Sequence, residues 1–83
     1  MSTATEQQFN ETLGARILAA RKRARITQDQ LASAIGLSRS SVANIEAGRQ
    51  SLSVVDALTI CRLLGIGIDQ LLGPETSAWS DVT

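Results

Sequence analysis

Apolar residues recur every three or four positions along most of the chain, and helix-capping or helix-breaking residues separate the runs. This spacing places the apolar side chains on one face of an α-helix. The first run predicts a helix that ends near Arg25 and begins either at an Asn10 cap or nearer Glu6. Its apolar stripe is Leu13, Ile17, Ala20 and Ala24.

Two short polar residues predict where the second and third helices begin. Thr27 precedes a helix over 28–35, because Gln30 stands at the third helical position and completes a capping box. Ser38 is the corresponding cap of a helix over 39–47. A glycine follows each of these two helices, as is common where a helix ends in the left-handed conformation.

The fourth helix is predicted to begin after Ser53 and to end at Gly65. Its expected inner face is Val54, Ala57, Leu58, Cys61 and Leu64. A short fifth helix follows over 68–72, and residues 74–83 show no period. Five short helices with connections of a few residues predict an all-α bundle.

The composition fits one small helical domain and restricts its chemistry. The chain has 83 residues, and Phe9 and Trp79 are its only aromatic residues, so the core must be aliphatic. Cys61 is the single cysteine and histidine is absent, which argues against an internal disulfide and a structural zinc site. We expect Cys61 to be a buried structural residue and expect no metal or cofactor.

Other classes of protein lack support in the sequence. The start of the chain has neither a basic segment nor an apolar stretch, so no secretory signal is indicated, and no apolar run reaches the ~20 residues of a membrane helix. A cytoplasmic location is expected. No pairing of a nucleophile with a base and no phosphate loop is recognisable, so an enzyme is not expected.

The formal net charge is zero, but the charges are unevenly distributed. Residues 16–49 carry net +5, whereas residues 1–15 carry net −2 and residues 50–83 carry net −3. A basic middle between acidic ends is typical of a face that binds a polyanion. Charge alone is equally compatible with ordinary solvated helix surfaces.

The second and third predicted helices are joined by only three residues, 36–38, which makes them cross steeply. The segment TQDQLASAIGLSRSSVANIEAGR resembles the helix-turn-helix of the XRE family, which includes the lambdoid phage Cro and C1-type repressors. The residues that carry the resemblance are Gln28, Ala32, Gly36, Leu37, Val42, Ile45, Glu46 and Gly48. The flanking segments LGARILAARKRARIT and SLSVVDALTICRLLGIGIDQLLG match the first and last helices of that family.

The resemblance covers about residues 12–73 and implies a compact five-helix, lambda-repressor-like DNA-binding domain. Residues 1–11 are then an N-terminal extension or the early part of the first helix, and residues 74–83 a flexible tail. One departure is Gly67, where the family often has a capping Ser or Thr. The family usually binds operators in double-stranded DNA as dimers, which implies a transcriptional regulator associated with the nucleoid.

The third helix supplies the predicted base-reading residues. At roughly 100° per residue, Val42, Ile45 and Glu46 face inward, which turns Ser40 and Asn44 outward. Arg39 stands at the N-terminal end that enters the major groove first in this motif. Arg39 suits guanine and Asn44 suits adenine, while the short Ser40 is less discriminating.

Phosphate contacts are expected around the starts of the second and third helices. Gln28 matches the glutamine with which the family contacts phosphate. Ser38, Ser41 and Arg49 are further candidates around the third helix, and Ser38 is a helix cap in any case.

Arg21 and Glu46 both border predicted apolar faces. An unpaired charge in either position would be costly, so we expect them to pair. The family pattern implies the same ion pair. Such a pair would lock the first helix to the base-reading helix.

Two functions remain open from the sequence alone. The first is a dimeric repressor that occupies a palindromic operator; Leu52, Ile66, Ile68 and the end of the fifth helix could form the dimer surface or could complete the core. The alternative is an antitoxin or another protein-interaction module with the same fold, with Trp79 in the acidic tail serving a partner protein.

Overall fold

The computed structural model describes residues 3–72 and contains five α-helices. They are α1 (Thr3–Arg23), α2 (Gln28–Ile35), α3 (Arg39–Glu46), α4 (Val54–Leu64) and α5 (Ile68–Leu72). The described residues include no β-strand, in agreement with the predicted all-α class. The expected tail and Trp79 lie outside the described residues, as do Gly73 and Pro74.

The first helix is longer at its start than either expected beginning. α1 covers 21 residues and already includes Glu6 and Asn10, so the expected Asn10 cap is wrong. Nothing in the sequence between Thr3 and Leu13 interrupts a helix, since the segment contains no glycine or proline. Residues 3–11 therefore form the early part of α1.

Three helix starts follow the predicted caps. The hydroxyls of Thr27, Ser38 and Ser53 each accept a hydrogen bond from the backbone N–H three residues later. Thr27 also forms the full capping box, because its own N–H donates to the side-chain oxygen of Gln30 at 2.8 Å. These bonds satisfy donors that a helix start otherwise leaves unpaired.

The core lies where α1 crosses α3 and where α2, α4 and α5 close around it. Its fully buried large side chains are Ile17, Leu31, Val42, Ile60 and Leu71. Half-buried apolar residues pack around them, Leu52 and Ile66 included. Leu52 and Ile66 thus help to complete the core, one of the two roles expected for them.

The predicted inner face of α4 is partly wrong. Ala57 and Cys61 are buried, but Val54 and Leu58 are 75% and 45% exposed, and the overlooked Ile60 is almost completely buried. The apolar residues of α4 surround more than half of the helix, so their spacing alone did not identify the buried side. The expected apolar stripe of α1 is also wrong at its last residue. Ala24 was expected to belong to it but lies beyond the end of the helix and is exposed.

Candidate nucleic-acid interface

The two faces of α3 have different chemistry. Val42, Ile45 and Glu46 are buried, as predicted. The opposite side of the helix carries short side chains: Ser40 is exposed there, as is Ala47 at the C-cap, and Ala43 and Asn44 are half-buried. Arg39 is exposed at the N-terminal end of the helix.

The turn before α3 is fixed by a hydrogen-bonded serine pair. The Ser38 hydroxyl accepts from the Ser41 N–H at 3.0 Å and lies 3.1 Å from the Ser41 hydroxyl. Gly36, at the end of α2, has φ of 72°, a left-handed conformation that suits glycine. The start of α3 is therefore held in a defined position relative to α2, with Arg39 directly after the cap.

A buried ion pair connects α1 to the end of α3, between the two residues for which the sequence predicts it. Arg21 Nε and Nη2 donate to the two carboxylate oxygens of Glu46, at 2.6 and 3.2 Å. Arg21 Nη1 also donates to the Ile26 carbonyl at 2.8 Å. This two-pronged contact leaves neither charge unpaired, which its burial requires.

Gln28 extends this network to the start of α2. Its Nε2 donates to Glu46 Oε1 at 2.9 Å, so one carboxylate binds both Arg21 and Gln28. The side chain of Gln28 is half-buried and oriented by this bond, with one amide N–H left for another acceptor. This contact could not be predicted from the sequence, because Gln28 and Glu46 are 18 positions apart on different helices.

Arg49, a further predicted phosphate contact, is exposed in the loop between α3 and α4. Exposed arginines thus stand near both ends of α3: Arg39 directly after the Ser38 cap, and Arg49 three residues after the last residue of the helix. Within residues 3–72, no group of three acidic, cysteine or histidine side chains is arranged to hold a metal ion. No helix within residues 3–72 combines the length and the hydropathy that a membrane-spanning helix needs.

The fold and the outward face of α3 define a helix-turn-helix protein. The family model described as Helix-turn-helix (HTH_3) matches residues 17–71, and the chain belongs to this family of DNA-binding regulators. The predicted family, its five-helix fold and the expectation of a DNA-binding protein that is not an enzyme are confirmed by this membership.

Individual relatives agree with the family. The chain is 42% identical over 65 residues to the immunity repressor protein of Bacillus phage phi105; the match covers 78% of this chain and 45% of the repressor. The chain thus spans less than half the length of that repressor.

Solved structures show the same fold. The restriction-modification controller protein C.AhdI from Aeromonas hydrophila is similar with a TM-score of 0.68 and 31% identity, covering 74% of this chain and 92% of that one. The clp gene regulator ClgR from Corynebacterium glutamicum gives a TM-score of 0.74 and 28% identity, covering 77% of this chain and 68% of ClgR.

Proposed function

We propose that this chain is a sequence-specific regulator that represses transcription by occupying an operator in double-stranded DNA. The observation that carries the proposal is the outward face of α3, which presents polar and small side chains. The ion pair between Arg21 and Glu46 holds the end of this helix against α1. The similarity to a phage immunity repressor supports repression as the mode of regulation. The site of action would be the nucleoid in the cytoplasm.

Base reading is assigned to three residues of α3. Arg39 would donate two hydrogen bonds to O6 and N7 of a guanine, and Asn44 would pair with N6 and N7 of an adenine. Ser40 is exposed between them and would add a less selective contact. Ala43 is small enough to allow close approach of the helix to the groove.

Phosphate contacts are assigned to the residues around this face. Gln28 would use the amide N–H that Glu46 leaves available, and Arg49 its exposed guanidinium. Ser38 and Ser41 lie at the start of α3, where the backbone N–H groups and the helix dipole favour an anion. These contacts would fix the register of α3 on the duplex.

We infer a homodimer as the acting form. The exposed side of α4 carries Val54, Val55 and Leu58, which are 75%, 72% and 45% exposed, and a second copy would cover them. A two-fold dimer that places its reading helices roughly 34–36 Å apart would select a palindromic site. A partner protein, as in an antitoxin, is the alternative occupant of this apolar face.

Selection of bound duplexes from random DNA tests the proposal. We expect a recurrent half-site in two inverted copies. Arg39→Ala should then lose about 1–3 kcal/mol of binding free energy at one base position in quantitative gel shifts. Arg23→Ala removes an exposed positive charge on α1, outside the residues assigned to DNA contact and to the dimer surface, and is the matched control.

Each contrary outcome would contradict a different part of the proposal. Recovery of no enriched sequence would contradict sequence-specific binding. An enriched site that Arg39→Ala still reads with unchanged preference would contradict the assigned base-reading residue. Binding of a partner protein but of no DNA would favour the antitoxin-like alternative.

A further inference from the structure

Arg25 has a backbone conformation that other parts of the chain leave to glycine. Its φ is 60°, and within residues 3–72 it is the one non-glycine residue with positive φ. Gly36 and Gly65 adopt the same conformation at the ends of α2 and α4. A side chain with a Cβ is disfavoured there, so an arginine in this position costs stability that a glycine would not.

The turn around Arg25 is held by several contacts on both sides. The Arg25 N–H donates to the Lys22 carbonyl, and the Ile26 N–H donates to the Arg21 carbonyl, both at 3.1 Å. The Ile26 carbonyl in turn accepts from the Arg21 side chain, which is bound to Glu46 at the end of α3. The position of Arg25 is therefore coupled through one buried pair to the proposed reading helix.

Within residues 3–72, no hydrogen bond or salt bridge of the Arg25 side chain compensates for this conformation. Arg25 is exposed, and it stands two residues before the Thr27 cap and three before Gln28, the proposed phosphate contact. Residues with unfavourable backbone angles that surrounding contacts maintain are concentrated at functional sites. An exposed guanidinium beside the start of α2 suits the anionic phosphate backbone of DNA.

We propose that Arg25 is a further phosphate-binding residue of the DNA interface. This inference rests on the proposed DNA-binding function and adds to it a contact from the α1–α2 turn. Arg25 binds a phosphate of the strand that Gln28 also contacts and carries no base preference. The arginine is retained at the expense of stability because its charge contributes to DNA binding.

The test compares four variants of the full chain on a 30-base-pair duplex of mixed sequence and on a duplex recovered by selection. Arg25→Gly removes the charge and relieves the backbone, Arg25→Asn removes the charge in a residue that tolerates this conformation, and Arg25→Lys keeps the charge. Arg23→Gln removes one exposed charge from α1, outside the assigned contacts, as the control.

We expect Arg25→Gly and Arg25→Asn to bind both duplexes about tenfold more weakly at low salt. For these two variants, the slope of log affinity against log salt concentration should be less negative by about 0.9. This change corresponds to the loss of one phosphate contact. Arg25→Lys and Arg23→Gln should bind like the parent chain. Arg25→Gly should nevertheless melt at a higher temperature than the parent, because its backbone is no longer strained.

Each contrary result has a distinct meaning. A parent chain that binds neither duplex would contradict the proposed function itself. Binding by the parent with unchanged affinity in Arg25→Gly and Arg25→Asn would overturn the role of Arg25 alone. Equal weakening by Arg23→Gln would show that the effect comes from net charge alone. A lower melting temperature for Arg25→Gly would refute the strained conformation.

Discussion

Gly14 lies where α1 crosses α3, and its lack of a side chain lets the two backbones approach. A Cβ at this position would collide with the Ile45 carbonyl oxygen and would lie 2.7 Å from the Glu46 carbonyl oxygen. Both obstacles are backbone atoms, so they cannot turn aside as a flexible side chain would. Gly14 therefore sets the distance between α1 and the proposed reading helix.

We predict that Gly14→Ala destabilises the protein by about 1–3 kcal/mol, the usual cost of overpacking. Helix propensity alone would predict a gain of about 1 kcal/mol from the same change. Urea unfolding measures whether the substitution lowers or raises the free energy of unfolding. The control is Ala19→Gly on the exposed side of α1, which should lose roughly 0.5–1 kcal/mol; a stabilised Gly14→Ala chain would contradict the close crossing.

Cys61 is a second residue whose surroundings determine its behaviour. Burial, and secondarily the negative charge of Asp69, raises the pKa of its thiol above the usual value of 9.0. The unfolded chain therefore loses this proton at lower pH than the folded chain, so the thiol favours unfolding as the pH rises above about 9.

We predict that stability falls less between pH 8 and pH 10 in Cys61→Ala than in the parent chain. Urea unfolding at a series of pH values measures this difference, and comparison of the two slopes removes the contribution of other groups that titrate in the same range. If the free energy of unfolding depended on pH equally in the two chains, the Cys61 thiol would not titrate differently in the folded and unfolded states.

At the scale of helices, the Arg21–Glu46 pair determines how α1, α2 and α3 stay together. Glu46→Ala would leave the buried guanidinium of Arg21 uncompensated, and we predict a loss of about 3–5 kcal/mol. Glu6→Ala, at an exposed position of α1, should change stability by less than about 0.5 kcal/mol. Thermal unfolding followed by circular dichroism compares the two, and a Glu46→Ala chain as stable as the parent would refute the structural role of the pair.

The sequence predicted helix starts better than helix faces and long-range contacts. The caps at Thr27, Ser38 and Ser53 were predictable because each hydroxyl bonds a backbone group only three residues away. The buried side of α4 was not, because apolar Val54 and Leu58 are spaced like core residues but are exposed. Periodicity indicates that a helix has an apolar face without indicating what covers that face.

The same distinction applies to the candidate site. The Arg21–Glu46 pair could be predicted because both charges border apolar stripes, where an unpaired charge is unfavourable. The bond from Gln28 to Glu46 and the positive φ of Arg25 could not, since both depend on how α1, α2 and α3 are placed in space. The base-reading and phosphate-binding residues themselves remain predictions.

For the molecule as a whole, the exposed apolar face of α4 determines the expected assembly. We predict that Val55→Glu dissociates the proposed dimer and weakens operator binding at least tenfold without unfolding the chain, because Val55 is 72% exposed. Sedimentation equilibrium and gel shifts measure the two effects. Gln8→Glu adds the same charge to an exposed position of α1 and should change neither; a Val55→Glu chain with unchanged mass and affinity would place the dimer surface elsewhere.

The division of α3 into two faces has an evolutionary consequence. Val42, Ile45 and Glu46 maintain the fold, whereas Arg39 and Ser40 are exposed and Asn44 is half-buried. Substitutions at the exposed positions leave the core and its ion pair intact, so their effect on stability should be small. Because the proposed base-reading residues are among these positions, we expect that a lineage carrying this domain can acquire a new operator preference in a few mutational steps while the scaffold stays the same.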